Sequence, residues 1–419
     1  MEDKPKSPEE QKKPPRLNSA AALGPLNEIY YRDLATAKQQ GKPVIWVTSM
    51  SPIELVYAFD GIPFFPENYS ALCSSRKVSV DFVEAGESLG YSAGICSYAL
   101  NTFGFIHLNK SAFGEMAPPP PPPDVLLATE GACMTHPKWW EALQRHYNCP
   151  LVIVDAAYIV DSNHLTDHQK NYMANELENA AYEIAEYTDK KFDLDKLKEV
   201  VALSDRCSEL WDDIDEMRAA VPTPISQIDV FTLQFPLVTL KGTKQAVEFY
   251  EPLYAEVKQR VDNHVGFLEN ERFRLMWDLF PVFHNLKLLN YFAQYDATFV
   301  ADLYGNAFSG RLDASDPFGS LSARYQSFFM RSASWGKSEI YKDRARRYKV
   351  DGMVFHANRC CRCFSAEQPE LAHILKEDLG IPSMRFEADM VDPRAYDDAQ
   401  VKAQIEAFME MLEAIKYPK

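Results

Sequence analysis

The sequence predicts an α/β protein: two Rossmann-like parallel-sheet halves with a helical insert between them. Three observations carry this. Short apolar runs, the length of buried strands, occur early (Val44–Val47, Val125–Thr129, Leu151–Val154) and again late (Thr298–Leu303, Gly352–Phe355, Ser383–Phe386). Helix-periodic segments alternate with those runs. Between the two groups, residues 166–271 are long, charged and amphipathic, with no strand pattern. The boundaries read from this are a disordered tail at 1–17, an N-terminal α/β domain at 18–165, a helical region at 166–271 and a C-terminal α/β domain at 272–419.

The elements follow in order. Residues 1–17 are rich in Lys, Glu and Pro, the composition of a tail that buries nothing. Leu26–Gln40 has Ile29, Tyr30, Leu34 and Ala37 at helical spacing and stops at Gly41. Val44–Val47 reads as a buried parallel strand, Ser51–Phe59 as the next helix, and Pro63–Pro66 as a short extended piece. Residues 80–106 read as helical around Cys96. The six prolines Pro118–Pro123 can form neither helix nor central strand, so they read as a stiff spacer to the next strand, with a docking site for a proline-binding module as the alternative. A helix at Trp139–Tyr147 separates the strands Val125–Thr129 and Leu151–Val154. His168–Thr188, Asp193–Ala220 and Lys244–Glu269 form the helical region. The pattern resumes with strand and turn at Arg272–Phe280, helix at Phe283–Tyr295, strand at Thr298–Leu303, basic helix at Lys337–Tyr348 and strand at Gly352–Phe355. A helix at Glu367–Leu379, a strand at Ser383–Phe386 and a helix at Asp397–Ile415 complete the chain.

Composition narrows the function. Of 419 residues 46% are hydrophobic, enough for a large core, and the net charge is −16, which argues against nucleic acid or an anionic membrane surface as the main partner. The first twenty residues lack the apolar stretch of a secretory signal, and no run reaches membrane-spanning length, so the expectation is a soluble, cytoplasmic protein. In that reducing compartment the eight cysteines read as thiols or ligands rather than a disulfide framework.

Three of their contexts stand out. Cys96 lies in Gly-Tyr-Ser-Ala-Gly-Ile-Cys-Ser-Tyr, Cys133 follows the run at 125–129, and Cys361 lies in Phe-His-Ala-Asn-Arg-Cys-Cys-Arg-Cys after the run at 352–355. The last two follow strands, whose carboxyl ends are where open α/β sheets build sites. Thiolates converging there would suit a soft metal or an iron–sulfur cluster, against the alternative of inert buried thiols. Adjacent cysteines point apart, so at most two of Cys360, Cys361 and Cys363 can reach one metal. His136 and His356, near these segments, read first as hydrogen-bonding structural groups. Cys73, Cys149 and Cys207 have no motif around them. Trp335-Gly336-Lys337-Ser338 resembles the end of a phosphate-binding loop, but Arg331 stands where that loop requires glycine. There is no Gly-x-Gly-x-x-Gly after a strand, no His-Glu-x-x-His and no Gly-x-Ser-x-Gly.

Together the segments resemble one family, the 2-hydroxyacyl-CoA dehydratase and benzoyl-CoA reductase subunits, from about residue 18 to the end. The residues that carry the resemblance are Pro52-Ile53-Glu54-Leu55, Phe64-Phe65-Pro66-Glu67-Asn68, Gly90-Tyr91-Ser92 with Ile95-Cys96-Ser97-Tyr98, the Cys133 segment, and His356-Ala357-Asn358-Arg359 before Cys361. The match is closest to the larger cluster-bearing subunit of ATP-dependent benzoyl-CoA reductases. The resemblance implies a 4Fe–4S cluster held by Cys96, Cys133 and Cys361, with one iron left open. It also implies an acyl-CoA substrate, a homologous second cluster-bearing subunit and a separate ATP-hydrolysing activator. Where the family pattern leads one to expect a small residue and a proline, Cys360 and Cys363 stand here, and Cys363 is the alternative third ligand. Such chemistry needs a positioned proton carrier. Glu54 is the catalytic candidate, its alternative being a first-turn carboxylate favoured by the helix dipole. The expected activity is that of a ferredoxin-linked aromatic acyl-CoA reductase subunit. The alternatives are a (R)-2-hydroxyacyl-CoA dehydratase subunit acting through a ketyl radical, and a non-catalytic iron–sulfur electron-transfer or scaffold subunit.

Overall fold

The structure, a computed structural model, describes residues 16–157, 159, 165–328 and 334–418. It contains two four-stranded parallel sheets. The first is built from β1 (Val44–Val47), β2 (Ile62–Phe64), β3 (Val125–Thr129) and β4 (Leu151–Val154), in the order β2-β1-β3-β4. The second is built from β5 (Phe273–Asp278), β6 (Ala297–Asp302), β7 (Gly352–Asn358) and β8 (Ser383–Ala388), in the order β6-β5-β7-β8. In the first sheet Ile45 lies opposite Pro63 on one side and Val125 on the other. In the second, Leu275 lies opposite Gly352, and Met353 opposite Ser383. The two sheets therefore have the same winding. It reverses between β1 and β3 and between β5 and β7, which opens a crevice at the carboxyl ends of those strands. Central strands read as unbroken apolar runs because helices cover both faces. Pro63 is tolerated because β2 is an edge strand, where a missing N–H breaks no ladder bond.

Helices fill the connections. The first half carries α1 (Leu23–Thr36), α2 (Ile53–Ala58), α3 (Pro66–Ser75), α4 (Ser79–Ser88), α5 (Ser97–Leu108) and α6 (Thr135–Tyr147). The middle region is helical: α7 (Asp167–Thr188), α8 (Leu194–Met217), α9 (Gln227–Leu233), α10 (Phe235–Thr239) and α11 (Lys244–Asp262). The second half carries α12 (Leu288–Tyr291), α13 (Pro317–Gln326), α14 (Ser334–Arg347), α15 (Arg362–Ser365), α16 (Gln368–Leu379) and α17 (Asp398–Lys416). One apolar core runs through residues of all three regions. A buried ionic knot adds direction to this packing. Arg218, at the end of α8, donates to Asp215 Oδ1 at 2.8 Å and to Asp302 Oδ2, at the end of β6, at 2.8 Å. Arg344 of α14 pairs with Asp215 at 2.8 Å. Fully desolvated charges of this kind are tolerated only when every one is paired.

The structure departs from the sequence-based expectation in instructive places. Residues 80–106 are two helices, and the chain breaks from 89 to 96, where Gly90 has φ +93° and the Ser92 hydroxyl accepts the Gly94 N–H at 3.1 Å. The segment 283–295 is a series of short turns rather than one helix. β7 and β8 run past their apolar signals because His356, Asn358 and Glu387 continue the ladder. Of the expected tail, residues 1–15 lie outside the described residues, whereas Leu17 is buried and the Arg16 carbonyl accepts Arg260 Nη2 at 2.6 Å. The proline run leads into β3, and the Pro121 carbonyl accepts the Trp46 indole N–H at 3.0 Å.

The helix pair α4–α5 presents Cys96 to the rest of the molecule, and two glycines let the pair close. A Cβ on Gly104 would stand 1.7 Å from the Phe82 carbonyl oxygen, and one on Gly86 would stand 2.4 Å from that of Leu100. Neither obstacle is a flexible side chain. We expect Gly104→Ala to destabilise the protein by about 1–3 kcal/mol or more. Gly24→Ala, where nothing lies within 4 Å, should be neutral or mildly stabilising in chemical denaturation. Equal midpoints for the two variants would show that the helices are free to move apart.

Candidate metal centre

Each of the three cysteine contexts ends at a helix start. Cys96 is the N-cap residue of α5 and Cys361 that of α15. Cys133 lies between β3 and α6, and its sulfur accepts the Thr135 N–H at 3.4 Å. β3 and β7 occupy equivalent places in the two sheets, so both halves deliver cysteine at the same point, just beyond the carboxyl end of the strand next to the reversal. The fold brings the segments together. The Cys360 sulfur meets the Ser97 N–H at 3.3 Å and the Ser97 hydroxyl at 3.2 Å. Cys96 and Cys360 are in hydrogen-bond contact, as are Cys133 and Cys363, and Cys361 lies within electrostatic reach of both pairs. Cys73 and Cys207 are instead buried in the core, and Cys149 is half-buried beside the start of β4.

These thiols resist ionisation. The hydrogen bond with Cys360, then burial, then the neighbouring sulfurs push Cys96 well above the usual thiol range. Cys133 is raised by its hydrogen bond with Cys363 and by burial, and Cys361 by burial and by Cys360 and Cys363. Cys363 moves the other way, lowered to about 6, because its thiolate accepts from Cys133. Like charges crowded in a dry site cannot all form. A soft cation reverses this, since each thiol then exchanges its proton for a metal bond. By donor chemistry the five sulfurs therefore fit an iron–sulfur group. Among the described residues no three His, Cys, Asp or Glu side chains converge closely enough to hold a single ion, so the sulfurs are not a closed mononuclear site. Wider spacing is what a multi-iron core requires of its thiolates.

Around the sulfurs lie an aromatic wall and a carboxylate–imidazole pair. Tyr98 meets Phe280 edge-on at 6.1 Å between ring centres, and Phe280 meets Phe364 at 5.4 Å and Tyr304 at 5.0 Å. Glu67 Oε1 is 2.8 Å from His136 Nε2, and Glu67 also accepts the Ser49 N–H at 2.5 Å and the Ser49 hydroxyl at 2.9 Å. The other ring nitrogen of His136 is buried with no hydrogen-bond partner among the described residues, and the ring lies within electrostatic reach of Cys363. Sequence reasoning quoted Glu67 only as part of a motif; its pairing with His136, distant in the chain, had no local signal.

Glu54 is elsewhere. It is fully buried in the first turn of α2, accepts from Ser204 Oγ at 2.6 Å and Tyr325 OH at 2.8 Å, and lies 3.6 Å from Lys241 Nζ. Burial lowers the Lys241 pKa. None of the hydrogen bonds or ion pairs described for Glu54 reaches the five cysteines. Gly336 and Lys337 lie within α14, where Lys337 is ion-paired with Glu367, so this segment forms no phosphate loop; Arg331 lies outside the described residues.

A fold of two like parallel-sheet halves, gathering thiols at the carboxyl ends of both, defines the class. A profile of the family described as 2-hydroxyglutaryl-CoA dehydratase, D-component, matches residues 48–412, and the chain belongs to that family. It is 28% identical over 401 residues to the (R)-2-hydroxyisocaproyl-CoA dehydratase alpha subunit of Clostridioides difficile, covering 92% of this chain and 94% of that one. It is 26% identical over 470 residues to the (R)-2-hydroxyglutaryl-CoA dehydratase alpha subunit of Acidaminococcus fermentans, covering 94% and 96%. It is 26% identical over 409 residues to a benzoyl-CoA reductase subunit of Thauera aromatica, covering 91% and 92%. The relatives thus include dehydratase and reductase subunits at similar identity. Among the described residues no helix is long and apolar enough to cross a membrane.

His356 illustrates how the site is held. Its Nδ1–H donates to the Phe280 carbonyl at 2.7 Å, its ring stacks on Phe386 at 5.3 Å, and burial lowers its pKa from 6.5 to about 4. Neutral in the fold and charged in the unfolded chain, it contributes stability that is complete above pH 6.5 and is lost as pH falls towards 4. His356→Asn keeps a donor near the Nδ1 position. Urea midpoints measured across that window should show the variant's pH slope reduced by about one proton relative to the parent. An unchanged slope would mean that His356 is already charged in the fold.

Proposed function

We propose that this chain is the cluster-bearing subunit of an enzyme that activates an acyl-CoA thioester with low-potential electrons. The observation that carries the reading is the meeting of five thiols from three distant segments at the carboxyl ends of both sheets. Cys96, Cys133 and Cys361 would hold a 4Fe–4S cluster, one thiolate from each segment, with Cys363 the alternative to Cys361. When bound, such a cluster supplies single electrons at a potential low enough for a thioester.

The chain's own residues supply the surroundings. Tyr98, Phe280 and Phe364 exclude water and lower the local dielectric, which strengthens every fixed dipole there. His136 and Glu67 share a proton between Nε2 and Oε1, leaving Nδ1 to exchange one with a bound molecule. Glu54 is the second candidate carrier, and its proton traffic would run through the Ser204 or Tyr325 hydroxyl.

Two finer readings follow. The first is a subunit of an ATP-dependent, ferredoxin-linked aromatic acyl-CoA reductase of benzoyl-CoA type, supported by the motifs at 64–68 and 90–98 and by the Thauera relative. The second is a (R)-2-hydroxyacyl-CoA dehydratase subunit, supported by the family description and the dehydratase alpha subunits. Both call for a homologous second subunit, a separate ATP-hydrolysing activator and a reducing cytoplasm.

Anaerobic protein co-purified with its partner should carry about four irons and four sulfides per chain. Cys96→Ser and Cys133→Ser should abolish the cluster's absorbance, while Cys149→Ser should leave it. With the matching activator, sub-stoichiometric use of reductant marks the dehydratase and stoichiometric use the reductase. An iron-free preparation that turns over either substrate would overturn the proposal. Glu67→Gln should lower kcat by about 10²-fold or more with little change in KM if the His136–Glu67 pair moves the proton. The same loss in Glu54→Gln alone would move that role to Glu54.

A further inference from the structure

Five thiols meet where three would complete the proposed ligand set, and the two supernumerary sulfurs are not in equivalent surroundings. The Cys360 sulfur sits in a socket of protein polar atoms: the Ser97 N–H at 3.3 Å, the Ser97 hydroxyl at 3.2 Å and Asn358 Oδ1 at 3.4 Å. Cys363 is different. It lies in the short helix α15, two residues beyond Cys361, and is the most exposed of the five. Its sulfur touches the Cys133 sulfur and the Met134 N–H, which places it against a proposed ligand rather than in a socket of its own. Backbone N–H groups aimed at sulfur are the usual setting of cluster thiolates, where they help tune the potential.

We propose that Cys363 is a fourth ligand, alongside Cys96, Cys133 and Cys361, so that the cluster in this chain is capped by thiolate at every iron. This rests on the cluster reading above and deepens it. On binding, the Cys363 thiol loses its proton to solvent and forms one Fe–S bond at the iron that would otherwise be open, with no change of oxidation state. A fully capped cluster offers no iron position to a substrate oxygen. The chain then serves the reaction by passing electrons, and substrate must be activated at another centre of the complex.

The test reads iron lability, not turnover. The anaerobic complex is treated with ferricyanide and a chelator, then assayed for iron and by low-temperature spin resonance. A cluster with an open iron loses it and gives a three-iron signal, whereas a fully capped one resists. The parent protein should keep its iron and show no such signal. Cys363→Ala should lose about one iron in four and gain the signal, while Cys360→Ala should behave as the parent. A parent protein as labile as Cys363→Ala would overturn the fourth ligand but leave the cluster standing. Lability in Cys360→Ala alone would assign that place to Cys360 and overturn it equally. A parent protein without iron would overturn the cluster reading itself. The result with the parent decides even if Cys363→Ala does not fold.

Discussion

Crowded thiols without a compensating cation are the constraint on which the rest of this structure turns. Cys96, Cys133 and Cys361 are each pushed above the ordinary thiol range by one another and by burial. Helix starts at α5 and α6 favour negative charge nearby, yet the sulfurs are too close and too dry for several of them to ionise together. The protein keeps protons where a soft metal could take their place. Only a scaffold that holds three segments against that repulsion can maintain such a site.

The scaffold does so with repeated means. Two sheets of identical winding put their β3 and β7 ends at corresponding points, and each adds a cysteine loop there. The third segment comes from α5, which reaches the site because Gly86 and Gly104 let it lie against α4 at backbone contact. Between the halves, Ser74 and Ser79 both donate to the Val391 carbonyl at 2.9 Å, and Arg218 ties the helical region to the end of β6. None of these contacts touches a thiol, but each limits how far one segment can drift from the others.

Much of the fold was legible because burial leaves a strong local trace. Val44–Val47, Val125–Thr129 and Leu151–Val154 are strands over the residues their apolar runs span. The break before Cys96 was not legible, because Ser92 and Gly94 form a turn inside a stretch that otherwise has helical composition. β7 was read three residues short because His356 and Asn358 are polar and take their partners from distant segments. The three cysteine contexts were visible as motifs, and their meeting follows from topology that no local pattern encodes. The pairing of Glu67 with His136 spans 69 residues and was equally hidden, while Glu54, chosen from its place after β1, is enclosed by Ser204, Tyr325 and Lys241, side chains 150 or more positions away.

The account stands or falls on whether iron occupies the point where the two halves deliver their sulfurs. Anomalous diffraction at the iron edge from anaerobically grown crystals of the complex tests this most directly. The account predicts a compact iron peak bounded by Cys96, Cys133 and Cys361, with those sulfurs at bonding distance. No peak there in protein shown to contain iron, or a peak that leaves Cys96 and Cys133 as free thiols, would contradict it.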